Sequence, residues 1–379
     1  MSDDALLDEL LGEARSEIDS IDDEILKLLE RRAKVVARVG EVKKAHNLPV
    51  FHPAREEDLI YNRRKEADKL SLSPEMVEDI FRTVMRASRI KQTKTMAQKS
   101  VRPGAKILVV GGAGSMGRLI YGWFSAAGYD ARILETDDWG NVGEKAEGVD
   151  LAILSVPIHI TGEVAERLSP HLSPDAILAD ITSTKSEPME RMLRAHPGPV
   201  LGLHPMFGPT TDSLDKQIVV VSPGRNPEGC KWVVEQLTAW GAVTVAATAK
   251  EHDEVMDVVQ GLRHFATFAF GQFLSKRKIS LQRTLEFSSP IYRLELDMVG
   301  RLFAQDPTLY ADIIFSTPER LELLRGYVES LEENIRMLKE GDIDTFMEEF
   351  AKVAEWFGPF SDQAIRESSY LIEKMIERF

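Results

Sequence analysis

Short runs of apolar and β-branched residues alternate with helix-like stretches through the middle of the chain. The runs are KILVV at 106–110, ARILE at 131–135, LAILSV at 151–156, AILAD at 176–180, GPVLGL at 198–203, QIVVV at 217–221 and AVTVAA at 242–247. Strands that alternate with helices form a mostly parallel sheet with helices on both of its faces. The pattern predicts an α/β domain, which we place at residues 105–250.

Helical spacing dominates on both sides of this region. From about residue 4 to 45 there is no proline, and apolar residues recur at separations near three and four, which predicts one long helix. Further helices are expected at about 53–67 and 74–93, the latter capped by Ser73. After about residue 250 the strand patterns cease and helical spacing continues to the last residue.

The chain has 379 residues, which is more than one hydrophobic core usually supports. A basic stretch that ends in Pro-Gly, typical of a linker, separates the first helical region from the strands. We therefore predict a helical domain at 1–92, a linker at 93–104, the α/β domain at 105–250 and a second helical domain at 251–379.

Acidic residues outnumber basic ones in this chain. Asp and Glu number 61 against 47 Lys and Arg, and the net charge of −14 argues against a nucleic-acid partner. The first residues, MSDDALLDEL, lack the basic region of a signal peptide, and no apolar run reaches the roughly 18 residues of a membrane span. Cys230 is the only cysteine, so we expect no internal disulfide and a small buried side chain. These features predict a cytoplasmic protein that contacts no membrane, and we predict no metal site.

A glycine-rich segment, GGAGSMG, directly follows the first predicted strand. Gly112, Gly114 and Gly117 form G-x-G-x-x-G, in which the first permits a tight turn, the second lets the backbone approach a pyrophosphate and the third lets helix and strand pack closely. A helix from about Ser115 would point its amino end, with Ser115 and Met116, at the phosphates. This position between a strand and a helix predicts a Rossmann-type dinucleotide-binding loop.

A carboxylate ends the second predicted strand, about 20 residues after the glycines. Glu135 would accept hydrogen bonds from ribose hydroxyls and repel the 2′-phosphate of NADP, so NAD is the expected cofactor. Asp137 or Asp138 could take its place. An exposed acid at a strand end is the alternative interpretation.

His204 follows the strand at 198–203, at the edge where ligands bind in open α/β sheets. A histidine there can accept the proton of a substrate hydroxyl while hydride leaves, because its ordinary pKa lies near neutral pH. A structural hydrogen-bonding histidine is the alternative. Ser183 and Lys185 follow the preceding strand and are expected at the same edge, although Lys185 could be a solvated residue at a helix start.

His264, Arg293 and Arg301 lie in otherwise apolar helical surroundings further along the chain. Arginine is costly to bury unless it is paired. Because Arg293 and Arg301 are eight residues apart, roughly on one helix face, one could bind a substrate carboxylate while the other binds an internal acid such as Glu295. Structural salt bridges are the alternative.

Among the basic residues of the long first helix, Arg15, Arg32 and Lys43 are the candidates for ligand binding. Arg32 and Lys43 are almost three turns apart on one face, separated by about 16 Å, so their side chains could converge on a small dianion. Arg15 is about 42 Å from Lys43 along the helix and could reach that ligand only from a partner chain. Solvated residues on a helix surface are the alternative.

The second and third helices add a cation, a carboxylate, a hydroxyl and an amide. They are Arg55, Glu56, Ser88 and Gln92. This set has no activated nucleophile and no metal cluster. It suits a reaction that needs positioning and charge stabilisation, such as a pericyclic rearrangement with a polarised ether oxygen.

The sequence resembles the family of bifunctional T-proteins, in which a chorismate mutase is fused to a prephenate dehydrogenase, over essentially its whole length. The matching strings are ARSEIDSID, LERRAKVVARVGEVK, REEDL, VVGGAGSMGRL, ILETDDW, SVPIH, LGLHPMFGP, LRHFATFA and SSPIYRLELDMVGRLFAQD. The resemblance implies an all-helical intertwined chorismate mutase domain, a Rossmann-type dinucleotide-binding domain and an all-helical C-terminal dimerisation domain. It also implies a place in tyrosine biosynthesis: chorismate is rearranged to prephenate, which is oxidatively decarboxylated to 4-hydroxyphenylpyruvate with hydride transfer to NAD.

The resemblance also implies roles for the helical residues. Arg15 of the other subunit and Arg32 bind the chorismate carboxylates, Lys43 and Gln92 the ether oxygen and Glu56 the ring hydroxyl, while Arg55 and Ser88 complete the pocket. One departure is His52, where relatives of the mutase often have Asp beside the chorismate hydroxyl, so Glu56 is left to make that contact.

For the dehydrogenase the resemblance implies that His204 takes the proton of the C4 hydroxyl of prephenate. Arg301 anchors the ring carboxylate, Ser183, Lys185 and His264 line the substrate side, and His196 lies near the nicotinamide. A second departure is Thr184, where relatives often carry valine.

The family further implies a homodimer and feedback inhibition by tyrosine. Two other interpretations remain open from the sequence. The helical N-terminus could be a non-catalytic dimerisation and regulatory module, which the intact Arg32, Lys43 and Gln92 argue against. The chain could instead be a tyrosine-sensing protein with inactive sites, which His204 and the glycine loop argue against.

Overall fold

The computed structural model describes residues 3–45, 52–96, 100–211 and 213–376. By spatial contacts the chain divides into two compact units. The first comprises residues up to Val156, Ile160–Thr182 and Glu187–Thr248, and the second comprises Pro157–His159, Ser183–Ser186 and the chain from Ala249 onward. The first unit therefore includes both the N-terminal helices and the sheet, and the finer division at residues 92 and 105 stays a prediction.

Three helices open the chain, as the periodicity predicts. They are α1 Asp3–Ala45, α2 Pro53–Lys69 and α3 Pro74–Met96. The Ser73 hydroxyl accepts a hydrogen bond from the Met76 amide, so Ser73 caps α3. α1 is a single helix of 43 residues, and its apolar positions stay about half exposed in the single chain: Ile18 by 56%, Ile21 by 51% and Leu28 by 62%.

A seven-stranded sheet forms the centre of the first unit, in the order β2-β1-β3-β4-β5-β6-β7. The strands are β1 Lys106–Val110, β2 Asp130–Leu134, β3 Leu151–Leu154, β4 Ile177–Asp180, β5 Val200–Pro205, β6 Ile218–Pro223 and β7 Val243–Ala246. Every neighbouring pair is parallel except β5 and β6. The predicted mostly parallel sheet is confirmed. Its centre is fully enclosed, with Ile107, Leu108 and Leu151 at 0% exposure.

Helices connect most of these strands. They are α4 Ser115–Ala126, α5 Val142–Ala146, α6 Thr161–Leu168, α7 Ser186–Ala195 and α8 Pro227–Ala239. Cys230 of α8 is buried among apolar residues, and this burial raises the pKa of its thiol to about 11. The side chain is therefore a small core residue, as expected.

The second unit is helical, as predicted for the chain after residue 250. Its helices are α9 Ala249–Met256, α10 Arg263–Lys276, α11 Leu281–Glu286, α12 Pro290–Phe303, α13 Pro307–Ile314, α14 Pro318–Glu340, α15 Ile343–Phe357 and α16 Pro359–Ile376. A turn of π-helix, Asp257–Leu262, joins α9 to α10. Within the described ranges no helix combines the length and apolar character that crossing a bilayer requires.

Candidate active sites

The glycine loop, Gly111–Gly117, connects β1 to α4 at the carboxyl edge of the sheet. Gly111 has a φ of +78°, and a Cβ there would overlap the Ser155 carbonyl. The tight turn therefore depends on Gly111, and its assignment to Gly112 is wrong. Gly112 instead leaves room for the Ile133 side chain, and a Cβ on Gly117 would overlap the Gly111 carbonyl. The glycines thus let the loop backbone pack closely against β2 and against the start of α4. Gly114 is the N-cap of α4.

Glu135 lies directly against this loop. Its Oε1 accepts a hydrogen bond of 2.6 Å from the Ala113 amide. Asp138 accepts from the Glu135 amide at 2.8 Å and pairs with Lys145 at 2.7 Å, an ion pair that lowers the pKa of Asp138. Asp138 is therefore engaged within its own turn, and Asp137 is exposed. Of the three candidate acids, Glu135 is the one whose carboxylate touches the glycine loop.

His204 lies within β5 rather than after it, because the strand continues to Pro205. The predicted end of the strand at residue 203 is thus two residues short. His204 is 3% exposed and stands opposite Val220 of β6, the antiparallel neighbour. It still lies in the last two residues of β5, at the carboxyl edge of the parallel strands.

His196 lies at the other edge of the sheet. It follows α7 and precedes β5, is 0% exposed, and its Nε2 is 2.7 Å from the carbonyl of Ala176, the residue before β4. Burial lowers the pKa of His196, with the nearby Arg225 charge acting in the same direction. Because the amino ends of β4 and β5 are opposite the carboxyl edge that holds the glycine loop, the expected contact of His196 with the nicotinamide is wrong. Its ring instead ties the chain before β5 to the chain before β4.

Ser183 and Lys185 belong to the second unit. Lys185 is 0% exposed, so the interpretation as a solvated helix-start residue is wrong. Asp253 accepts hydrogen bonds from the amides of Lys185 and Ser186 at 2.7 and 2.8 Å and from the His252 ring. Burial raises the pKa of Asp253, but these bonds outweigh it and hold the pKa at about 2. Asp253 thereby fixes the backbone that carries Lys185, while Ser183 is half-buried.

His264 lies in the first turn of α10 and packs edge-on against Tyr310, with 4.9 Å between ring centroids. Burial, with the charges of Arg263 and Arg320, lowers the pKa of His264 to about 4. The imidazole is therefore neutral near pH 7. Arg301 lies exposed in the last turn of α12.

Sequence reasoning missed Arg320, a guanidinium that is 1% exposed. It pairs with Asp257 at 2.7 Å and donates to Ser316 and to the Ile313 carbonyl. The Gly261 position is closed to any side chain because a Cβ would overlap Arg320. Asp257 precedes Arg320 by 63 residues, a separation that leaves no local sequence pattern.

An apolar cavity of about 900 Å³ lies in the second unit, and Phe265, Phe303 and Tyr310 line it. Arg293 is half-buried and directs its guanidinium to the Leu285 carbonyl at 3.5 Å, while Glu295 is exposed. The expected pairing of one arginine with Glu295 is thus not among the contacts that the structure records.

The packing of α1, α2 and α3 brings together some of the residues predicted for the mutase pocket. Arg32 Nη1 donates to Ser88 Oγ at 2.7 Å, and Gln92 Nε2 donates to the Val36 carbonyl at 3.1 Å. Both bonds join α1 to α3. Burial lowers the pKa of Lys43, an effect that the charge of Glu56 partly offsets. Arg32, Lys43, Glu56, Ser88 and Gln92 are therefore positioned by the packing of three helices.

Arg15 and Arg55 are both exposed. Since α1 is unbroken, Arg15 is about 42 Å from Lys43 along one axis, so the same chain cannot place both on one small ligand. His52 has a structural role, because its Nδ1 accepts a hydrogen bond of 3.2 Å from the Arg55 amide and so caps α2.

Arg89 is a second buried guanidinium that the sequence did not single out. It is 9% exposed and contacts both Glu56 and Asp215. Burial lowers its pKa, but the bonds to Asp215 and Glu56 outweigh this and raise it. Within the part of the chain that the structure describes, no group of three or more His, Cys, Asp or Glu is arranged to hold a metal ion.

Comparison with known families matches three consecutive parts of the chain. Residues 14–93 match the family described as chorismate mutase type II. Residues 129–246 match the nucleotide-binding domain of prephenate dehydrogenase, and residues 248–352 match its dimerization domain.

Curated relatives extend over nearly the whole chain. The T-protein of Enterobacter agglomerans is 45% identical over 362 residues, covering 94% of this chain and 96% of the relative. The T-protein of Haemophilus influenzae is 43% identical over 366 residues, covering 97% of each. Among solved structures, the prephenate dehydrogenase of A. aeolicus, in complex with hydroxyphenyl propionate and NAD⁺, aligns with a TM-score of 0.54 at 22% identity and covers 71% of this chain and 99% of its own. At that identity the alignment shows a shared fold.

Proposed function

The chain belongs to the T-protein family, and from this premise we propose how its residues carry out two reactions, chorismate to prephenate and prephenate to 4-hydroxyphenylpyruvate. It is a bifunctional enzyme of tyrosine biosynthesis, with chorismate mutase and NAD-dependent prephenate dehydrogenase activities. The observation that carries the proposal is the presence in one chain of both the helical set on α1–α3 and the glycine loop with its Glu135 contact. We propose domain boundaries at 1–92, 105–250 and 251–379.

In the mutase, Arg32 binds a chorismate carboxylate, Lys43 and Gln92 contact the ether oxygen, and Glu56 accepts from the ring hydroxyl. Arg55 and Ser88 complete the pocket. The Arg32–Ser88 bond supports this assignment, because it fixes the guanidinium before substrate arrives. A concerted rearrangement needs positioned charge rather than a nucleophile, and fixed cations around an ether oxygen provide it.

Arg15 is assigned to the mutase pocket of a second subunit. The length of α1 supports this, as do the half-exposed apolar positions along it, which a second copy of the helix would cover. The functional form is therefore a homodimer.

NAD is the proposed cofactor, and the residues of the first unit fit it. Gly114 lets the backbone approach a pyrophosphate, Gly112 and Gly117 let the loop pack closely against Ile133 and the Gly111 carbonyl, and the amino end of α4 with Ser115 and Met116 faces the phosphates. The Glu135 carboxylate, already at the loop, accepts from ribose hydroxyls. When bound there, NAD supplies the acceptor for the hydride from prephenate.

His204 is assigned the proton of the C4 hydroxyl of prephenate. As hydride leaves C4, His204 takes the hydroxyl proton and C4 becomes a carbonyl carbon. Loss of CO₂ then makes the ring aromatic. In the second unit, Arg301 is assigned the ring carboxylate, and Ser183, Lys185 and His264 contact the substrate. The neutral His264 suits a hydrogen bond rather than an ion pair. Tyrosine is proposed as a feedback inhibitor and the cytoplasm as the location, both from the family.

An absorbance assay for NADH, with chorismate as the only substrate, tests the proposal. Signal requires both activities in the same chain. A Lys43→Ala variant should lose the signal with chorismate and keep it with prephenate. If the wild-type chain oxidises prephenate but leaves chorismate unchanged, the N-terminal helices are a non-catalytic module.

A further inference from the structure

Arg89 joins the mutase helices to the sheet. From α3 its Nη1 donates to Glu56 Oε1 of α2 at 2.5 Å, and its Nε donates to Asp215 Oδ2 at 2.9 Å. Asp215 lies in the connection between β5 and β6, 126 residues further along the chain. The three side chains are 8–14% exposed. One guanidinium therefore bridges two largely buried carboxylates from separate parts of the first unit.

The Asp215 end of this bridge is held by hydrogen bonds of the backbone amides around it. The Asp215 amide donates to Ser213 Oγ at 3.0 Å, and the Lys216 amide donates to the Gly241 carbonyl at 3.0 Å. Gly241 has a φ of +98°, and a Cβ there would press against the Asp215 Cα at 3.1 Å. Lys216 itself approaches Glu56 Oε2 at 3.7 Å. Glu56 is thus contacted on both oxygens by cations whose positions depend on the β5–β6 connection.

The arrangement has a consequence for how Glu56 can act. A carboxylate that accepts from a substrate hydroxyl must keep a fixed orientation, since a misplaced acceptor loses most of its hydrogen bond. An arginine side chain is long and flexible, and one contact leaves it free to rotate. Two contacts through Nη1 and Nε fix the plane of the guanidinium.

We propose that Arg89 is a positioning residue of the chorismate mutase, and that Asp215 completes the mutase pocket by holding Arg89 against Glu56. This inference rests on the proposed role of Glu56 in the mutase. It gives the β5–β6 connection of the nucleotide-binding region a function in the chorismate mutase reaction. The mutase is then a property of the first unit as a whole and not of α1–α3 alone.

The test is Asp215→Ala in the full-length enzyme, with mutase and dehydrogenase kinetics measured separately. Because the contact of Glu56 with the ring hydroxyl exists in both the bound substrate and the transition state, its loosening should raise the KM for chorismate about tenfold and change kcat less than about threefold. Oxidation of prephenate should stay at the wild-type rate. Asp215→Asn, which keeps an acceptor in place, should give an intermediate KM.

Asp150→Asn is the matched control, since Asp150 also pairs with an arginine, Arg102, and none of its recorded contacts involves the mutase helices. It should leave chorismate kinetics unchanged. The double variant Arg89→Leu, Asp215→Ala should be no worse as a mutase than Arg89→Leu, because Asp215 acts through Arg89. If Arg89→Leu does not fold, Arg89→Lys replaces it in the same comparison.

Three results would overturn the inference. They are unchanged chorismate kinetics in Asp215→Ala, a fall in kcat at constant KM, which marks loss of folded enzyme, and a parallel loss of both activities. Absence of mutase activity in the wild-type chain is a different failure, because it would reject the proposed function itself.

Discussion

The sheet and the first helix differ in how far a single chain buries their apolar residues. Ile107 and Leu151 in the sheet are 0% exposed, whereas Ile18 and Leu28 on α1 are 56% and 62% exposed. Full burial of such a side chain is worth roughly 1.5–3 kcal/mol, so each α1 position leaves about half of that unused in the single chain. A single chain buries the core of the nucleotide-binding region completely, but it leaves the apolar face of α1 about half exposed. The dehydrogenase cofactor site should therefore depend on one chain and the mutase on two.

The sharpest test of this difference is complementation between Arg15→Ala and Lys43→Ala. Each variant should lose about 10²–10³-fold of its mutase activity, as expected on removing a charge that stabilises the transition state. When subunits exchange, a mixed dimer has one pocket with both lesions and one with neither. Random pairing should therefore restore about a quarter of the wild-type mutase activity.

Recovery should follow the rate of subunit exchange, measured in parallel by mass spectrometry. Each variant incubated alone is the control and should stay inactive. Demonstrated exchange without recovery would mean that Arg15 takes no part in a shared pocket. The exposed apolar face of α1 would then be no evidence that the mutase needs two chains.

A smaller effect should come from the sheet. His204→Asn should keep folding and NAD binding and lower prephenate oxidation by roughly a hundredfold, the usual cost of losing a general base. Mutase activity should not change, because His204 is assigned to prephenate and not to the chorismate pocket. Stopped-flow hydride transfer gives the measurement. An unchanged rate would remove His204 from its role, and a matching fall in mutase activity would contradict its assignment to the dehydrogenase alone.

Glu135→Ala should change cofactor choice by about tenfold, by weakening NAD and relieving the repulsion of the NADP phosphate. Kd values for both cofactors provide the test. Asp137→Ala is the control, since Asp137 is exposed and its carboxylate makes no recorded contact with the glycine loop. A shift in Asp137→Ala and none in Glu135→Ala would transfer the role to Asp137. Neither change should alter the mutase.

The smallest effect concerns the second unit, where burial of His264 needs no partner chain. Well above pH 6.5 its imidazole is neutral in both the folded and unfolded states. Between pH 6.5 and about 4 the unfolded chain takes up a proton that the folded chain does not, so the free energy of unfolding falls as pH falls. His264→Gln should flatten this dependence in urea unfolding, equally at low and high protein concentration. His171→Gln, at an exposed position, should keep the wild-type slope.

Local patterns predicted most of the fold. The proline-free run before residue 45 gave α1, and the β-branched runs gave all seven strands, because the period of the apolar residues is set by helix or strand geometry itself. The same holds for the glycine loop, whose spacing is a local requirement of one turn.

Contacts between distant parts of the chain were beyond that reasoning. Arg89 reaches Asp215 and Arg320 reaches Asp257 because packing brings them together, and neither residue differs in its local sequence from a solvated arginine. The burial of Lys185 was likewise not visible in the sequence, because a lysine at a helix start is ordinarily exposed and this one is buried. His196 was misplaced because a resemblance carries a residue type without the edge of the sheet on which it lies.

The burial of Cys230 has a practical consequence for labelling. With its thiol pKa raised to about 11, only about one part in ten thousand is thiolate at pH 7, and the side chain is 1% exposed. Maleimide reagents should therefore not react with Cys230 in the folded protein. A single cysteine introduced on the exposed face of α16 would take a fluorophore selectively, so that donor- and acceptor-labelled chains could report their exchange by energy transfer without removing any natural residue.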